Sequence, residues 1–427
     1  MKSVYLPYRI LLVFNLFTLL LYSYAPMSSA NPERHGLCLV YVLINIVAWS
    51  VGYKTGVNRW AHKEVKLQGP LSVISSRVLK FFFCFYLITL LPKYAYELST
   101  PVFDISGMIN RVIIGLIDPG VGYRMERGMM PYNWSIYVLI SIIDGVFITM
   151  GLLSWKKMSK WQKWLFVFLC LLDSLKWFGK GTNFGVIVIL VSTILAFLAQ
   201  RSEFSRTNNK RLFLIVGLLA LAALWAFAHN MEGRSGGDLS EVNESIFNLN
   251  PNSTINSFIV THLPDNLSNL YLYVMSYLTG GYTNFECAFD VDTGWSYFMG
   301  SNPSKANLAQ FVFGVDVEPL GYPMAISRRF GIDPYICWHS CYAWLANDVG
   351  LLGVPFVVFI IGRLTSISLI LYTKYKDLLS GVIFIILGCM CFFFFANNNY
   401  ISSFYYSFIV IFPLWLFTRV LMQKNIN

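Results

Sequence analysis

Long apolar runs alternate with short polar segments along most of the chain. A membrane-spanning α-helix needs roughly 20 mostly apolar residues, and ten runs approach that length. The composition agrees, since 56% of the residues are hydrophobic and 13% are charged, about half the charge of a typical soluble domain. The pattern predicts an all-α polytopic membrane protein with about ten transmembrane helices, in which residues 1–427 form a single integral membrane domain. The runs lie near residues 9–25, 36–53, 72–92, 133–153, 163–179, 182–199, 212–229, 349–371, 379–396 and 402–422.

Basic residues fall in alternate connections between these runs. The formal net charge is +10, and an excess of Lys and Arg marks the cytoplasmic side of a membrane protein. With the N-terminus in the cytoplasm every short inner loop is basic, whereas the outer connection 397–401 (NNNYI) carries no charge. We therefore expect both termini in the cytoplasm. The inner basic residues include Lys54, Arg59, Lys63, Lys66, Lys156, Lys157, Arg201, Arg206, Lys374, Lys376, Arg419 and Lys424.

Two outer segments are too long to be simple turns. Residues 93–132 contain Ile105–Ile117, which is apolar enough to lie on the membrane surface but too short to span it. Residues 230–348 form the largest loop, between the seventh and eighth predicted spans, and we expect it to pack as helices on the membrane bundle. The predicted details are a helix at Leu267–Leu278, its end at Gly280-Gly281, a turn at Asn302–Asn307 and a helix that begins near Gly350 with Asp348 as its cap.

The stretch CWHSCYAWLANDVGLLG closes the large loop and enters an apolar run. It holds His339, one of five histidines, among the aromatic residues Trp338, Tyr342 and Trp344. An imidazole can act as a general base near neutral pH, and aromatic rings can stack on the faces of sugars. The alternative is a hydrogen-bonded packing histidine surrounded by aromatic packing residues.

Several cations fall on the predicted outer side, against the general charge bias. Lys176 and Lys180 lie in KWFGKGTNFG, a short hairpin between two apolar runs, and a helix N-terminus with a nearby cation is a good anion site. Arginine is suited to bidentate phosphate binding. Each residue alone is equally explained as a solvated or ion-paired side chain, but together they can hold a diphosphate. The candidate diphosphate ligands are Lys180, Arg234, Arg328 and Arg329.

Other features have simpler explanations. Asp144 is the one clearly central ionisable residue of a predicted span, and it is explained equally by a structural partner and by a functional role. The eight cysteines have no metal-ligand spacing, and the DxD pattern in Phe289–Asp292 falls on the outer side, where no nucleotide sugar is expected. We therefore expect no metal, no cofactor and no nucleic-acid partner.

Short segments resemble a known family. From His339 the sequence runs His-Ser, nine residues and then Gly-Leu-Leu-Gly, which resembles the H-[NSQ]-x9-G-x-x-G motif of bacterial O-antigen ligases. The hairpin GKGTNFG is similar to that family's SRxG-like segment, with Lys180 where an arginine is usual. Tyr271–Glu286 and the segment ANDVGLLG look like parts of the Wzy-type O-antigen polymerases, which share the same GT-C-like membrane architecture.

The resemblance implies a glycosyltransferase that polymerises undecaprenyl-diphosphate-linked oligosaccharide repeat units into O-antigen or a similar surface polysaccharide, at the periplasmic face of the bacterial inner membrane. It implies that His339 activates the acceptor hydroxyl and that outer cations hold the departing diphosphate. The implied partners are the lipid-linked substrate, membrane lipid and a chain-length regulator protein. Two alternatives stay open: an O-antigen ligase that transfers glycan to lipid A–core, and a transporter of lipid-linked oligosaccharide whose function depends on Asp144.

Overall fold

The computed structural model of the protein describes residues 2–24, 29–62, 76–98, 100–127, 134–201, 217–218, 221, 223–233, 254–334, 337–397 and 399–417. All regular structure in these residues is helical, as the apolar pattern predicts. The helices are α1 (Lys2–Ser23), α2 (His35–Trp60), α3 (Ser76–Glu97), α4 (Ile105–Ile117), α5 (Pro119–Arg127), α6 (Trp134–Ser154), α7 (Lys160–Gly179), α8 (Phe184–Gln200), α9 (Thr254–His262), α10 (Asp265–Phe285), α11 (Pro303–Phe313), α12 (Tyr322–Phe330), α13 (Ser340–Tyr375), α14 (Leu378–Phe392) and α15 (Asn399–Trp415), with a further helical segment at 223–233.

Nine of the ten predicted apolar runs coincide with helices, namely α1, α2, α3, α6, α7, α8, α13, α14 and α15. The tenth, 212–229, lies partly outside the described residues. Three of the described helical stretches are long and apolar enough to cross a membrane: Val4–Ser23, Pro32–Trp60 and Ser340–Tyr375. The fold is therefore helical with membrane-spanning character, and a total of ten spans stays a prediction.

Helices α2 and α13 pack side by side through the main hydrophobic core. Their contacts advance together along both helices, from the hydrogen bond of Tyr41 to the Leu351 carbonyl (2.6 Å) to the close approach of Gly56 and Ser366. A Cβ at Gly52 would overlap a carbonyl oxygen of α13, and small residues are what allow membrane helices to approach this closely. The two helices run parallel, so they begin at the same end of the bundle.

We call this end, where α2 begins at His35 and α13 begins after His339, the His339 end. Helix α10 finishes there, because Gly281 in its last turns packs against the Phe395 carbonyl and the backbone of Ser340. The expected break at Gly280-Gly281 is therefore wrong. The glycine serves close packing, and α10 continues to Phe285.

Two other local predictions in the large loop are wrong. Asn302 begins a helix rather than a turn, because its side chain accepts from the Lys305 backbone N–H (3.0 Å) and Pro303 fits the first helical position. Helix α13 begins at Ser340 and is kinked at Gly350 (φ 66°, ψ 165°), so a helical segment does begin near Gly350 as expected, but Asp348 does not cap it. Its carboxylate instead anchors the loop before α11 by accepting from the Gly300 N–H (2.7 Å) and from Lys305 Nζ (2.5 Å).

Helix α4 has one buried and one exposed face. The buried face carries Arg111 and Gly115. The exposed face is apolar and carries Ile105, Ile109, Ile113 and Ile117. This two-sided pattern agrees with a helix that lies on the membrane surface, although that location stays a prediction.

Candidate functional site

His339 lies directly before α13, and its side chain is fully buried. Its backbone N–H donates to Asn397 Oδ1 (2.6 Å), and its Nδ1 lies 3.0 Å from the Cys337 carbonyl oxygen, which assigns the ring proton to Nδ1. Nε2 is buried and makes no hydrogen bond within the described residues. Burial lowers the pKa of His339 to about 4, although the carbonyls of Cys337 and Ile332 act in the opposite direction. The imidazole is therefore neutral at neutral pH.

The three aromatic residues near His339 differ in exposure. Trp338 is half-buried and meets Tyr277 edge-on, with 4.6 Å between ring centres. Tyr342 and Trp344 are buried, and Trp344 Nε1 donates to Asn397 Oδ1 (3.2 Å). Stacking on a sugar therefore stays a prediction for Trp338, whereas Tyr342 and Trp344 offer no open ring face in this conformation.

Lys180 belongs to a buried network of charges at the ends of α3 and α7. Its Nζ lies 2.8 Å from Glu97 Oε2. Lys176 bridges Glu97 (3.1 Å) and Asp173 (3.2 Å), and Lys93 lies 2.5 Å from the same aspartate. Lys176 thus pairs with Asp173 one turn earlier on α7, and Lys180 is an ion-paired residue rather than a solvated one.

Cations outnumber carboxylates in this part of the described chain. Arg111 is 7% exposed and lies on the face of α4 that packs against α3 and α7. Burial alone would raise the pKa of the Glu97 carboxyl, but the neighbouring lysines hold that pKa well below its usual range. Glu97 is therefore ionised, and the ion-paired group contains three lysines and two carboxylates. We call this group the charge cluster: Lys93, Glu97, Asp173, Lys176 and Lys180.

A row of aromatic rings connects the charge cluster with the His339 segment. Lys180 Nζ lies 5.0 Å from the ring centre of Trp177. From Trp177 the successive distances between ring centres are 5.8 Å to Phe184, 5.7 Å to Phe393, 6.1 Å to Phe395 and 6.0 Å to Trp338. The charge cluster therefore also lies at the His339 end of the bundle.

The predicted arginine ligands are placed differently. Arg328 and Arg329 are exposed at the end of α12, where Arg328 donates to the Pro319 carbonyl (2.8 Å) and Arg329 to the Asp290 carbonyl. Their described contacts do not include the charge cluster. Arg234 lies outside the described residues. Of the three described candidates for diphosphate binding, only Lys180 therefore lies in the charge cluster.

A second polar site at the His339 end was not predicted. Glu286, directly after α10, is fully buried, and its Oε1 accepts from Tyr22 Oη (2.5 Å) and lies 2.8 Å from His35 Nδ1. Its Oε2 accepts from the Ser29 hydroxyl and from the Asn31 backbone N–H (3.0 Å). All the described donors to this carboxylate come from the end of α1, the following loop and the start of α2.

His35 and Glu286 line a cavity of about 350 Å³. The other described lining residues are Tyr22, Ser23, Ser29, Pro32 and Thr283. Ser23 and Pro32 are exposed, so the cavity communicates with the surface. The Glu286 carboxylate is hydrogen-bonded to Nδ1 of His35, so Nε2 is the nitrogen available to a ligand. A carboxylate–histidine pair of this kind fixes the ring tautomer and can transfer a proton.

No sequence signal marks this site. His35 and Glu286 are separated by 251 residues, and although Glu286 ends the polymerase-like segment Tyr271–Glu286, that likeness assigned no role to its carboxylate. The DxD pattern lies close to the site in sequence, because Asp290 follows Glu286 by one turn. The Asp290 carboxylate, however, pairs with Arg34 (2.6 Å) and accepts from Asn31 (2.6 Å). The pattern marks the edge of the site for a structural reason unrelated to nucleotide binding.

Comparison with known proteins adds no relative. No family model matches the chain, and neither a curated protein nor a solved structure matches it. The likeness to the O-antigen ligases and polymerases therefore rests on the short segments around His339 and Lys180, on Tyr271–Glu286 and on the arrangement of apolar runs.

Proposed function

We propose that the protein is a membrane glycosyltransferase that joins undecaprenyl-diphosphate-linked oligosaccharide repeat units into a surface polysaccharide. In this proposal the His339 end faces the periplasm. The donor glycan is transferred from its lipid diphosphate to a sugar hydroxyl of a second lipid-linked repeat unit.

One observation carries the proposal: the charge cluster and a polar cavity with a histidine lie at the same end of the helical bundle. The cluster holds three lysines and two carboxylates within the described chain. Charges buried near a membrane are costly and are found where an ion or substrate is handled. A diphosphate would add acceptors to a region already rich in lysine and arginine donors.

The surroundings of the charge cluster suit a substrate carried by a lipid. Helix α4 packs against α7 with the face that buries Arg111, and it exposes isoleucines on the other face. Phe103, just before α4, is 87% exposed. An apolar face of this kind binds at the boundary between headgroups and acyl chains, which is the depth at which a polyprenyl diphosphate presents its phosphates.

The chemistry requires a proton acceptor and charge stabilisation. The acceptor oxygen forms a bond to the anomeric carbon, and the bond from that carbon to the diphosphate oxygen breaks, with its electron pair leaving on the diphosphate. The lysines of the charge cluster stabilise that developing charge. The hydroxyl proton passes to a histidine of the His339 end, for which the sequence favours His339 and the structure offers His35 as well.

The test is a reconstituted reaction with one substrate. Purified protein in proteoliposomes is incubated with a lipid-linked repeat unit alone, and the products are separated on a gel. A ladder of products establishes polymerisation, since no other acceptor is present. Transfer that requires added lipid A–core would make the protein a ligase. Movement of unchanged substrate from one leaflet of the proteoliposome membrane to the other would support the transporter.

Two variants make the ladder informative about the charge cluster. Lys180→Met removes one cation but leaves Glu97 paired with Lys176, so the protein should fold and the ladder should weaken at low donor concentration. Lys305→Met is the matched control, because Lys305 is also an ion-paired lysine. It lies in the large loop, outside the charge cluster, and pairs with Asp348. Equal effects of both variants would contradict a role of the charge cluster in donor binding.

A further inference from the structure

The cavity at His35 and Glu286 has the features of a site for a hydroxyl-bearing ligand. Its described lining contains the hydroxyl groups of Tyr22, Ser23, Ser29 and Thr283. A volume of about 350 Å³ is at the lower end of the range of small-molecule sites, which suits one or two sugar rings.

The cavity and the charge cluster differ in the charged groups that they offer to a ligand. The one carboxylate in its described lining, Glu286, has its oxygens occupied by Tyr22, Ser29, Asn31 and His35. Arg34, the residue before His35, is paired with Asp290 (2.6 Å). The cavity therefore suits a neutral glycan, whereas a diphosphate suits the lysines of the charge cluster.

The geometry at His35 defines what the ring can do. Its Nδ1 lies 2.8 Å from a fully buried carboxylate oxygen, which orients the ring and stabilises the imidazolium that forms when Nε2 takes a proton. Nε2 makes no hydrogen bond within the described residues, and the side chain is 33% exposed. His35 thus combines an oriented ring with access to a ligand.

The His339 segment and the Glu286 site both lie at the end of α10. Gly281 of α10 packs against Ser340, and Glu286 holds His35 five residues later, about 7.5 Å further along the helix axis. Tyr22, Tyr282 and Tyr342 form a continuous row between the two sites, with ring centres 5.5 Å and 6.4 Å apart. One end of the bundle therefore holds both histidines, and of the two only His35 lines a cavity.

We infer that the cavity binds the acceptor sugar and that His35, oriented by Glu286, is the general base of the transfer. This inference rests on the proposed function. The acceptor hydroxyl gives its proton to His35 Nε2, its oxygen bonds to the anomeric carbon of the donor, and the diphosphate leaves with the electron pair of the broken bond. His35 is the catalytic residue in this scheme, and Glu286 is a positioning residue.

A chemical-protection experiment tests occupancy without requiring turnover. Wild-type proteoliposomes are treated with diethyl pyrocarbonate, which acylates accessible imidazoles, with and without the lipid-linked repeat unit. Mass spectrometry of the digested protein then measures the extent of acylation of each histidine separately. His35 should react in the free protein and be protected at least fivefold by the repeat unit. The exposed His262 should react equally in both samples, and the buried His339 should react slowly in both.

An activity measurement accompanies the protection experiment. His35→Gln should lower kcat by about a hundredfold or more and leave the KM for the acceptor within a few-fold, because glutamine retains polar contacts in the cavity. The matched control His262→Gln should keep wild-type kcat. Elution as a monodisperse peak in detergent shows that each variant is folded.

The outcomes separate the inference from the function on which it rests. If the wild-type protein makes no ladder, the proposed function is wrong. If the wild-type protein makes a ladder, but His35 reacts equally with and without substrate or His35→Gln retains full kcat, the function stands and the assignment of His35 and its cavity is overturned.

Discussion

Two histidines at one end of the bundle have opposite surroundings. His35 is 33% exposed, lines a cavity and places Nδ1 against a buried carboxylate. His339 is fully buried and places Nδ1 against the carbonyl of its own loop residue Cys337. The first arrangement orients the ring against a carboxylate and leaves it accessible, whereas the second disfavours the charged ring and encloses it.

The difference separates a ring that can exchange protons from a ring that holds structure. Burial lowers the pKa of His339 to about 4, so this imidazole is a weak base at neutral pH. Its backbone N–H is fixed by Asn397, which also accepts from Trp344. His339 therefore joins the start of α13 to the segment after α14, and the shape of the site depends on that junction.

The largest expected effect is a chemical rescue that only one of the two histidines permits. His35→Ala should lower the rate of polymer formation by about a thousandfold, and added imidazole should restore at least a tenth of it, because the cavity admits the free base. His339→Ala should lower the yield of folded protein, and imidazole should not restore its activity, since the described structure shows no comparable opening at that ring. The assay is the gel ladder in the presence of 0 to roughly 100 mM imidazole.

Rescue of His339→Ala with no rescue of His35→Ala would reverse the comparison. It would make His339 the base, as the sequence alone suggested, and would leave the His35 cavity with a structural role. A matched control is His262→Ala, which removes an exposed imidazole of α9 and should behave as the wild-type protein with and without imidazole.

The helical framework was largely predictable from the sequence. Apolar runs of spanning length can form only helices in lipid, so nine of the ten predicted runs coincide with helices. The errors are local and occur where tertiary contacts decide. Gly281 was expected to end a helix, but it lies inside α10 because the Phe395 carbonyl packs against it.

The site was predictable only where its partners are close in sequence. The pairing of Asp173 with Lys176 follows from their spacing on one helix. The pairing of Lys180 with Glu97 spans 83 residues, and that of His35 with Glu286 spans 251. Neither long-range pair leaves a periodic or spacing signal. The motif-like surroundings of His339 drew attention to a histidine whose ring faces its own loop.

The buried carboxylates Glu286 and Glu97 also have different partners. Glu286 accepts from hydroxyl, amide and imidazole groups, whereas Glu97 accepts from Lys176 and Lys180. Glu97→Gln leaves buried lysines without their carboxylate, so it should lower the free energy of unfolding by about 3 kcal/mol. The measurement is the thermal midpoint in detergent, with the exposed Glu33→Gln as control.

Glu286→Gln should destabilise less than Glu97→Gln, because the amide oxygen keeps the donors on one side and the hydroxyl of Tyr22 or Ser29 on the other side can turn to accept from the amide NH2. A loss in Glu286→Gln that equals or exceeds the loss in Glu97→Gln would show that the cavity region is the main structural junction of this end. That result would argue against reading Glu286 chiefly as a residue that positions His35.

The pH dependence of stability distinguishes His339 from every exposed histidine. Its pKa is lowered to about 4 in the folded protein and returns to about 6.5 on unfolding. The unfolded state therefore binds a proton first as the pH falls, and the stabilisation that is complete above pH 6.5 is lost progressively toward pH 4. Between pH 7 and pH 5 this should amount to about 2 kcal/mol.

A His339→Asn variant should be less stable at pH 7 but should lose less on acidification. Thermal midpoints of wild type and variant at pH 5, 6 and 7 give the comparison, with His262→Asn to correct for titration of exposed groups. Parallel pH curves for wild type and His339→Asn would show that the ring is accessible to protons in the folded protein, which would restore it as a candidate base.

The smallest expected effect concerns the ion pair beside the cavity. Arg34 and Asp290 lie 2.6 Å apart, but the two side chains are 41% and 20% exposed, and partly exposed pairs contribute at most about 1 kcal/mol. Arg34→Ala should therefore shift the thermal midpoint little and lower kcat less than threefold, because Glu286 holds His35 without it. A loss of activity as large as that of His35→Ala would mean that the loop before α2 is held by Arg34 and that the cavity opens when the pair breaks. The position of His35 would then depend on Asp290 as much as on Glu286. Measuring whether the repeat unit still protects His35 of the Arg34→Ala variant from diethyl pyrocarbonate decides between the two carboxylates.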